Sequence, residues 1–248
     1  MIKRHPGEWT ALIISVLVTL IVSFFILQIS IYVLVFLLIV QLIYVVTIQK
    51  QLQGNSIRIT ETQYAKLHNL ISESCTKLGM ELPHCFVSFD PYINAYVLGF
   101  TKPYSLVLTS ALIEAMNDDE LRFVVCHELG HIRMGHSRLK SLVMPTNNSI
   151  PVVTLIFNNW LRKTEYTADR AGIFATEDIK ASISALKKIA VGSKLAGEID
   201  SKALIKQVCD ACDENVEKMS EWLLTHPYIT NRIKCLVEYY NFVIGKTQ

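Results

Sequence analysis

The sequence predicts a mostly helical α+β domain with a small sheet, preceded by an N-terminal pair of membrane-spanning helices. Three observations predict this fold class. Residues 10–48 contain no charged residue, no glycine and no proline. Residues 85–109 hold short apolar runs separated by proline-containing turns, a pattern typical of strands. Apolar residues recur at helical spacing before and after that section.

The apolar stretch 10–48, 39 residues long, is too long for one membrane span. A single helix of this length would measure roughly 58 Å, whereas the hydrocarbon core of a bilayer is about 30 Å thick. Two helices, 11–27 and 31–48, fit this thickness better. Gln28 and Ser30 are the most polar residues near the middle, so we expect the helices to be joined there. The stretch is also too long for the apolar region of a signal peptide.

Basic residues lie outside both predicted spans. Lys3 and Arg4 precede the first span, and Lys50 and Arg58 follow the second. The positive-inside rule therefore predicts that both ends are cytoplasmic. The predicted organisation is a cytoplasmic N-terminus, a transmembrane hairpin and one cytoplasmic domain, at 1–9, 10–48 and 49–248. Such a chain is a multi-pass protein of the plasma (inner) membrane, with the lipid bilayer as a partner.

Charge and cysteine content exclude several classes of function. The chain has 24 Lys and Arg against 22 Asp and Glu, so no clustered basic surface for nucleic acid is expected. The predicted spans contain no ionisable residue, which argues against a transporter or channel. The six cysteines are expected to be reduced in the cytoplasm. Cys209 and Cys212 resemble half of a zinc ribbon, but no second pair completes it, so we interpret them as small apolar residues.

The predicted soluble domain consists of helices around the short β-rich section. Gly79 ends a helix over 60–79, and Asn117 with Glu120 forms a capping box for a helix that we expect to reach His136. The predicted strands cover 85–89, 95–98 and 105–109. Further helices are expected at 164–175, 178–192, 200–224 and 228–243. The apolar segment 150–161 is too short to span a bilayer and is predicted to be a core or interfacial helix.

The strongest chemical signal is the motif His-Glu-Leu-Gly-His, which begins at His127 and ends at His131 inside a predicted helix. Histidines four residues apart lie about 40° apart around a helix, so both imidazoles face one point. A catalytic zinc site takes three protein ligands and a water molecule, and Glu128 can accept a proton from that water. The alternative is a charged helix face with two hydrogen-bonded histidines. Apolar residues of the buried type surround the motif and disfavour that alternative.

The third ligand must come from elsewhere in the chain. His136 follows His127 by nine residues, about 180° around a continuous helix, so it is predicted to point away. The extended motif with a third histidine requires a glycine where the chain has Met134, which excludes that class. Glu165 and Asp169 lie four apart on one helix face, which suits one carboxylate on the metal and another behind a histidine. A solvated acidic helix face is the alternative interpretation of this pair.

These residues resemble the HtpX-like membrane gluzincins, the family that includes the CAAX prenyl proteases. Four elements match in order across residues 80–240. They are the triplet Asn94-Ala95-Tyr96, the strand 105–110 followed by the helix with the histidine motif, the run from Glu165 to Asp169 and Arg170, and His226-Pro227 with Arg232-Ile233. The last three have fixed internal spacing, so together they are more specific than the histidine motif alone.

The resemblance implies an α+β zincin (gluzincin) fold, one zinc ion per chain and hydrolysis of peptide bonds. The implied metal ligands are His127, His131 and Glu165. Asp169 is expected behind the histidines, and Glu128 is the expected general base.

Two further elements are predicted to act on the substrate. His226 is a candidate hydrogen-bond donor to the oxyanion, and Arg232 is expected to orient the carboxylates or the substrate. The alternative is a helix cap and a surface ion pair. Asn94, Ala95 and Tyr96 match the family's edge strand and are predicted to bind an extended peptide by β-augmentation. An ordinary short strand is the alternative for this triplet.

One departure from the family pattern concerns the segment between the motif and Glu165. HtpX proper has two further spans there, whereas this chain has only 33 residues, 132–164. A membrane-embedded chamber and a prenyl protease are therefore not expected. The predicted function is a membrane-anchored zinc endopeptidase for protein or peptide substrates, in membrane-protein quality control or processing. The alternative is a membrane-tethered, zinc-stabilised binding or scaffold protein without turnover, which an intact Glu128 disfavours.

Overall fold

The computed structural model describes residues 4–26, 31–143, 151–210, 224 and 226–243. The helices in these ranges are α1 (Glu8–Ile26), α2 (Ile31–Asn55), α3 (Ala65–Leu78), α4 (Ser110–Ala115), α5 (Asp118–Arg133), α6 (His136–Val143), α7 (Pro151–Thr176), α8 (Ile179–Val191), α9 (Ser193–Ala196), α10 (Ser201–Asp210) and α11 (Ile229–Val243). The strands are β1 (Ile57–Arg58), β2 (His84–Ser88), β3 (Ala95–Leu98) and β4 (Ser105–Thr109). The predicted α+β class with two leading apolar helices is confirmed.

The two leading helices, α1 and α2, are each long and apolar enough to cross a membrane. Most of their large apolar side chains are exposed, as lipid-facing side chains would be. α1 begins earlier than predicted, at Glu8, and α2 ends later, at Asn55. The expected connection around Gln28 and Ser30 lies outside the described residues.

The described strands form one sheet in the order β1-β2-β4-β3. β2 and β4 are parallel, while β1 and β3 pair antiparallel with their neighbours. Every residue of β4 is buried, which explains its nearly continuous apolar sequence. β1 was not predicted because a two-residue strand carries no periodicity. β3 lies at one edge of this sheet and packs against α5.

The helix with the histidine motif, α5, crosses α7 closely at two glycines. A Cβ atom at Gly130 would lie 2.6 Å from Cβ of Ala171, and one at Gly172 would lie 2.7 Å from the ring of Phe123. These distances are too short for two carbon atoms, so the helices approach this closely only because both positions lack a side chain. The crossing brings the motif directly against the helix that carries Glu165.

α7 is one continuous helix where the sequence predicted two, at 150–161 and 164–175. It has 26 residues and is about 39 Å long. Arg162 and Lys163, the basic residues that follow the apolar segment in the sequence, lie inside the helix. Arg162 is buried and donates a hydrogen bond of 3.0 Å to the carbonyl of Leu224. This buried side chain in the middle of α7 thus connects the helix to a distant part of the chain.

The N-terminal half of α7 packs against the first membrane helix, α1. Ala11 is buried in a cluster with Phe157, Trp160 and Leu161. The Ser15 hydroxyl donates a hydrogen bond of 3.0 Å to the Ile156 carbonyl. The part of the chain that carries the histidine motif is therefore attached to α1 along a helix face as well as through the chain.

Candidate metal centre

Three buried side chains from α5 and α7 meet at one point. One donor atom from each of His127, His131 and Glu165 lies within 4.8 Å of the other two. Nε2 of His127 is 3.4 Å from Oε2 of Glu165, and Nε2 of His131 is 3.5 Å from Oε1 of the same carboxylate. The structure thus brings together the three side chains that were predicted from the sequence to bind a metal.

This donor set fits a divalent metal. Two ligand atoms that each lie ~2.1 Å from a tetrahedral zinc ion are about 3.4 Å apart. The two nitrogen–oxygen distances, 3.4 and 3.5 Å, each to a different oxygen of Glu165, are close to that value and long for hydrogen bonds. Two imidazole nitrogens with one carboxylate oxygen are also a ligand set that catalytic zinc sites use.

Asp169 and Arg232 fix the orientation of His127. Nδ1 of His127 is 2.9 Å from Oδ1 of Asp169. Arg232 donates hydrogen bonds to both carboxylate oxygens of Asp169, at 2.6 and 2.9 Å. Burial opposes the charge on Asp169, but Arg232 and these hydrogen bonds outweigh it and lower the pKa of the carboxyl. Asp169 therefore accepts the Nδ1 proton of His127, and Nε2, which faces Glu165, is the ring nitrogen left available to a metal ion.

Glu128 follows the first histidine of the motif and is buried beside it. Burial raises the pKa of Glu128 to about 7, although the neighbouring His127 acts in the opposite direction. A general base works best when its pKa lies near the operating pH. The environment of Glu128 thus suits a group that takes up and releases a proton.

His136 does not point away from the site as predicted. α5 ends at Arg133, and Gly135 has a φ of 78°, which turns the chain before α6 begins at His136. Nδ1 of the buried His136 then lies 3.2 Å from Nδ1 of His131. The angular prediction was wrong because it assumed a continuous helix through His136.

His226 approaches the centre from the segment before α11. Its Nδ1 is 3.4 Å from Oε2 of Glu165, while 61% of its side chain remains exposed. Arg162 holds this segment through its hydrogen bond to the Leu224 carbonyl. His226 therefore lies between the cluster and solvent.

The edge strand β3 directs part of its backbone away from its partner strand β4. The Thr109 N–H donates to the Asn94 carbonyl at 3.1 Å, which makes these two residues a hydrogen-bonded pair. Ala95 pairs next with Leu108. Bonded and non-bonded pairs alternate along an antiparallel ladder, so the N–H and C=O of Ala95 point to the free edge. Tyr96 then belongs to a bonded pair.

Two residues near the centre, Glu8 and His136, were missed as site residues by the sequence interpretation. Oε1 of Glu8 is 3.1 Å from Nε2 of His136. Glu8 is the only acidic residue among the first 60, directly before the apolar stretch. Its isolation among uncharged and basic residues was the one feature of the sequence that set Glu8 apart. No local sequence pattern indicates that residue 8 contacts residue 136.

A helix with the His-Glu-x-x-His motif, crossed by a helix that supplies a carboxylate, defines the class of metal-dependent peptidases. The model of the family described as Peptidase family M48 matches residues 61–154 and 146–240. The chain belongs to peptidase family M48.

Curated relatives agree with this assignment. The chain is 33% identical over 168 residues to the plastoglobule-localized metallopeptidase 48, chloroplastic, of Arabidopsis thaliana; the match covers 62% of this chain and 48% of that protein. It is 30% identical over 223 residues to a protease HtpX homolog of Helicobacter acinonychis (strain Sheeba), covering 72% of this chain and 68% of that one. The match thus spans about half the length of the Arabidopsis relative. The predicted HtpX-like membership is confirmed.

One solved structure also has a related fold. The crystal structure of S. mikatae Ste24p matches with a TM-score of 0.54 at 18% identity, covering 94% of this chain and 67% of that chain. At this identity the likeness establishes the fold. It supports the expected gluzincin architecture with its leading apolar helices.

Proposed function

We propose that this protein is a membrane-anchored zinc endopeptidase. The observation that carries the proposal is the buried cluster of His127, His131 and Glu165, with the carboxylate of Glu128 beside it on the same helix. When bound there, zinc supplies a Lewis acid that polarises a carbonyl and lowers the pKa of a water molecule.

The side chains of the chain itself account for the proton transfers. Glu128 accepts a proton from the attacking water and passes it to the leaving amine nitrogen. Asp169, held by Arg232, keeps His127 in the tautomer whose Nε2 is free to bind the metal. Arg232 is therefore proposed to orient a carboxylate, which was one of its two predicted roles.

His226 is proposed to stabilise the oxyanion. Its ring lies at the opening of the site, 3.4 Å from Glu165, and is largely exposed to solvent. A donor in this position can form a hydrogen bond that strengthens as negative charge develops on the carbonyl oxygen. A helix cap, the alternative, would not require an imidazole next to the cluster.

The substrate is proposed to bind as an extended peptide along β3. Ala95 has a small side chain and a backbone N–H and C=O directed away from β4, and β3 packs against α5, which carries the histidines. β-Augmentation would align the substrate backbone with this edge and place one of its peptide bonds near the cluster of His127, His131 and Glu165. Asn94 and Tyr96 flank that position and are proposed to contact the substrate.

The proposed topology is a hairpin with both ends and the domain of residues 49–248 in the cytoplasm. The start of α1 contacts α7 through Glu8 and Thr167, and Gln49 near the end of α2 contacts the carbonyl of Leu98 at 3.5 Å. The domain thus contacts the start of α1 and the end of α2, as expected if these two helix ends lie on the same side of the membrane. Residues 1–9 and 10–48 would be the N-terminus and the hairpin.

The proposal is tested by cleavage of an unfolded protein such as casein by the full chain in detergent. Glu128→Gln keeps the size of the side chain but cannot accept a proton, so activity should fall by ~10²–10⁴-fold with bound zinc retained. The exposed Glu114 provides the matched control, since Glu114→Gln removes one carboxylate that is not part of the cluster. Activity of Glu128→Gln within a few-fold of wild type would refute the mechanism. Bound zinc without any turnover in the wild type would favour the scaffold function.

A further inference from the structure

The carboxylate of Glu8 is buried at the start of the first membrane helix, and only 1% of the residue is exposed. It accepts hydrogen bonds from the Arg4 guanidinium and from the Thr167 hydroxyl. Its Oε1 atom also lies 3.1 Å from Nε2 of His136. A carboxylate with three polar partners in the interior is costly to desolvate, so its position needs an explanation beyond anchoring an apolar helix.

His136 connects this carboxylate to a proposed metal ligand. Its ring is buried and lies edge-on to Trp160, with centroids 6.4 Å apart. One ring nitrogen, Nε2, faces Glu8, and the other, Nδ1, is 3.2 Å from Nδ1 of His131. The other nitrogen of His131 is the one that faces Glu165.

The proton positions along this chain follow from the carboxylate. Nε2 of His136 lies 3.1 Å from the Glu8 carboxylate, which can only accept, and 3.4 Å from the Arg4 guanidinium, which can only donate. The shorter contact, with the carboxylate, places the proton on Nε2, so Nδ1 of neutral His136 has a lone pair available. That lone pair accepts the Nδ1 proton of His131. Nε2 of His131 is then without a proton and free to bind a metal ion.

The two histidines of the motif are therefore supported in the same manner from opposite sides. His127 has Asp169 at Nδ1, and Asp169 is held by Arg232. His131 has His136 at Nδ1, and His136 is held by Glu8.

We propose that Glu8 is a positioning residue of the metal centre, which acts through His136 to fix the tautomer and orientation of His131. The proposal rests on the proposed function, since it takes His131 as a metal ligand. It makes the first membrane helix a component of the site as well as an anchor.

The segment that carries Glu8 is itself fixed to the catalytic helices. Arg4 donates a hydrogen bond of 2.8 Å to the Met134 carbonyl, at the turn between α5 and α6. Arg170 donates one of 2.6 Å to the Arg4 carbonyl. The His5 N–H donates one of 3.2 Å to the Thr167 hydroxyl. These contacts hold the start of α1 within reach of His136, independently of the membrane.

The test is the zinc affinity of the full chain in detergent, measured by competition with a chelator. Glu8→Gln places an amide where the carboxylate was, and this amide can donate to His136 and reverse its tautomer. Zinc affinity should fall by about 10–100-fold. His136→Phe removes the same connection without altering the N-terminal segment and should cause a similar loss. The double variant should bind zinc no more weakly than His136→Phe, because both changes break one chain of contacts.

Glu120→Gln is the matched control for loss of a buried carboxylate. Glu120 is 3% exposed and accepts hydrogen bonds from Ser184 and Lys188, two helical turns before His127. Its replacement should lower the melting temperature of the zinc-free protein and leave zinc affinity unchanged.

Zinc affinity in Glu8→Gln or His136→Phe equal to wild type would overturn the proposal, as would additive losses in the double variant. If Glu8→Gln does not fold, His136→Phe alone decides the matter. A wild type that binds no zinc would instead refute the proposed function.

Discussion

At the scale of single residues, the centre concentrates ionisable groups in a place where charge is expensive. His127, Glu128, Glu165, Asp169 and Arg232 are all buried or nearly so. Hydrogen-bonded imidazole and guanidinium partners outweigh the desolvation of Glu165 and Asp169 and lower the pKa of both carboxyls. Burial instead raises the pKa of Glu128 to about 7. The residue with the least electrostatic compensation is thus the proposed base.

His226→Phe tests the proposed oxyanion donor. Loss of one such donor typically lowers kcat by ~10²–10³-fold with little effect on substrate binding. Steady-state kinetics should therefore give a much lower kcat with KM and zinc content close to wild type. His84→Phe, at the start of β2, is the control and should leave all three unchanged. A His226→Phe protein that lost zinc, or that cleaved at full speed, would assign His226 another role.

The sequence was sufficient for those site residues whose geometry is local. Residues 127 and 131 share a helix face by spacing alone, and so do 165 and 169, which made both pairs predictable. The roles of Glu8 and His136 were not predictable. They depend on the turn at Gly135 and on a contact between residue 8 and residue 136, which no local pattern encodes.

At the scale of elements, the site depends on two helices that touch and on a strand beside them. The α5–α7 crossing relies on Gly130 and Gly172, where a side chain would separate the histidines from Glu165. The predicted strands were confirmed to within one residue, since their alternation and turn residues are local signals. The continuity of α7 through Arg162 was missed because the apolar run ends there, and the burial of Arg162 depends on a distant partner, the Leu224 carbonyl.

Ala95→Pro tests the docking edge. Proline removes the N–H that points to the free edge and leaves the ladder with β4 intact. Cleavage of a peptide substrate should be impaired, while zinc content and melting temperature stay close to wild type. Tyr96→Pro provides the contrast, because Tyr96 belongs to a bonded pair and its replacement should lower the melting temperature. Unchanged kinetics in Ala95→Pro would exclude β3 as the docking edge.

At the scale of the whole molecule, the hairpin and the domain form one packed unit. α1 packs along the N-terminal half of α7, and Gln41 of α2 donates a hydrogen bond to the Ser141 carbonyl of α6 at 3.3 Å. The apolar stretch predicted the two helices because length and composition alone identify such segments. Their packing against α6 and α7 depends on tertiary contacts and was not predictable.

Reporter fusions test the proposed topology. A fusion after Lys50 and one at the C-terminus, residue 248, should both report a cytoplasmic location. The reason is that basic residues precede the first span and follow the second. A fusion between the two spans, after Gln28, serves as the control and should report the opposite side. A C-terminus outside the cytoplasm would contradict the hairpin.

The central claim is that one zinc ion is held by His127, His131 and Glu165, and elemental analysis of the purified full chain tests it most directly. We expect close to one zinc per chain in the wild type, since three protein ligands define a catalytic site. His127→Ala, His131→Ala and Glu165→Gln should each lose most of the metal, whereas His84→Ala should retain it. Full zinc content in Glu165→Gln, or loss of zinc in His84→Ala, would contradict the assignment.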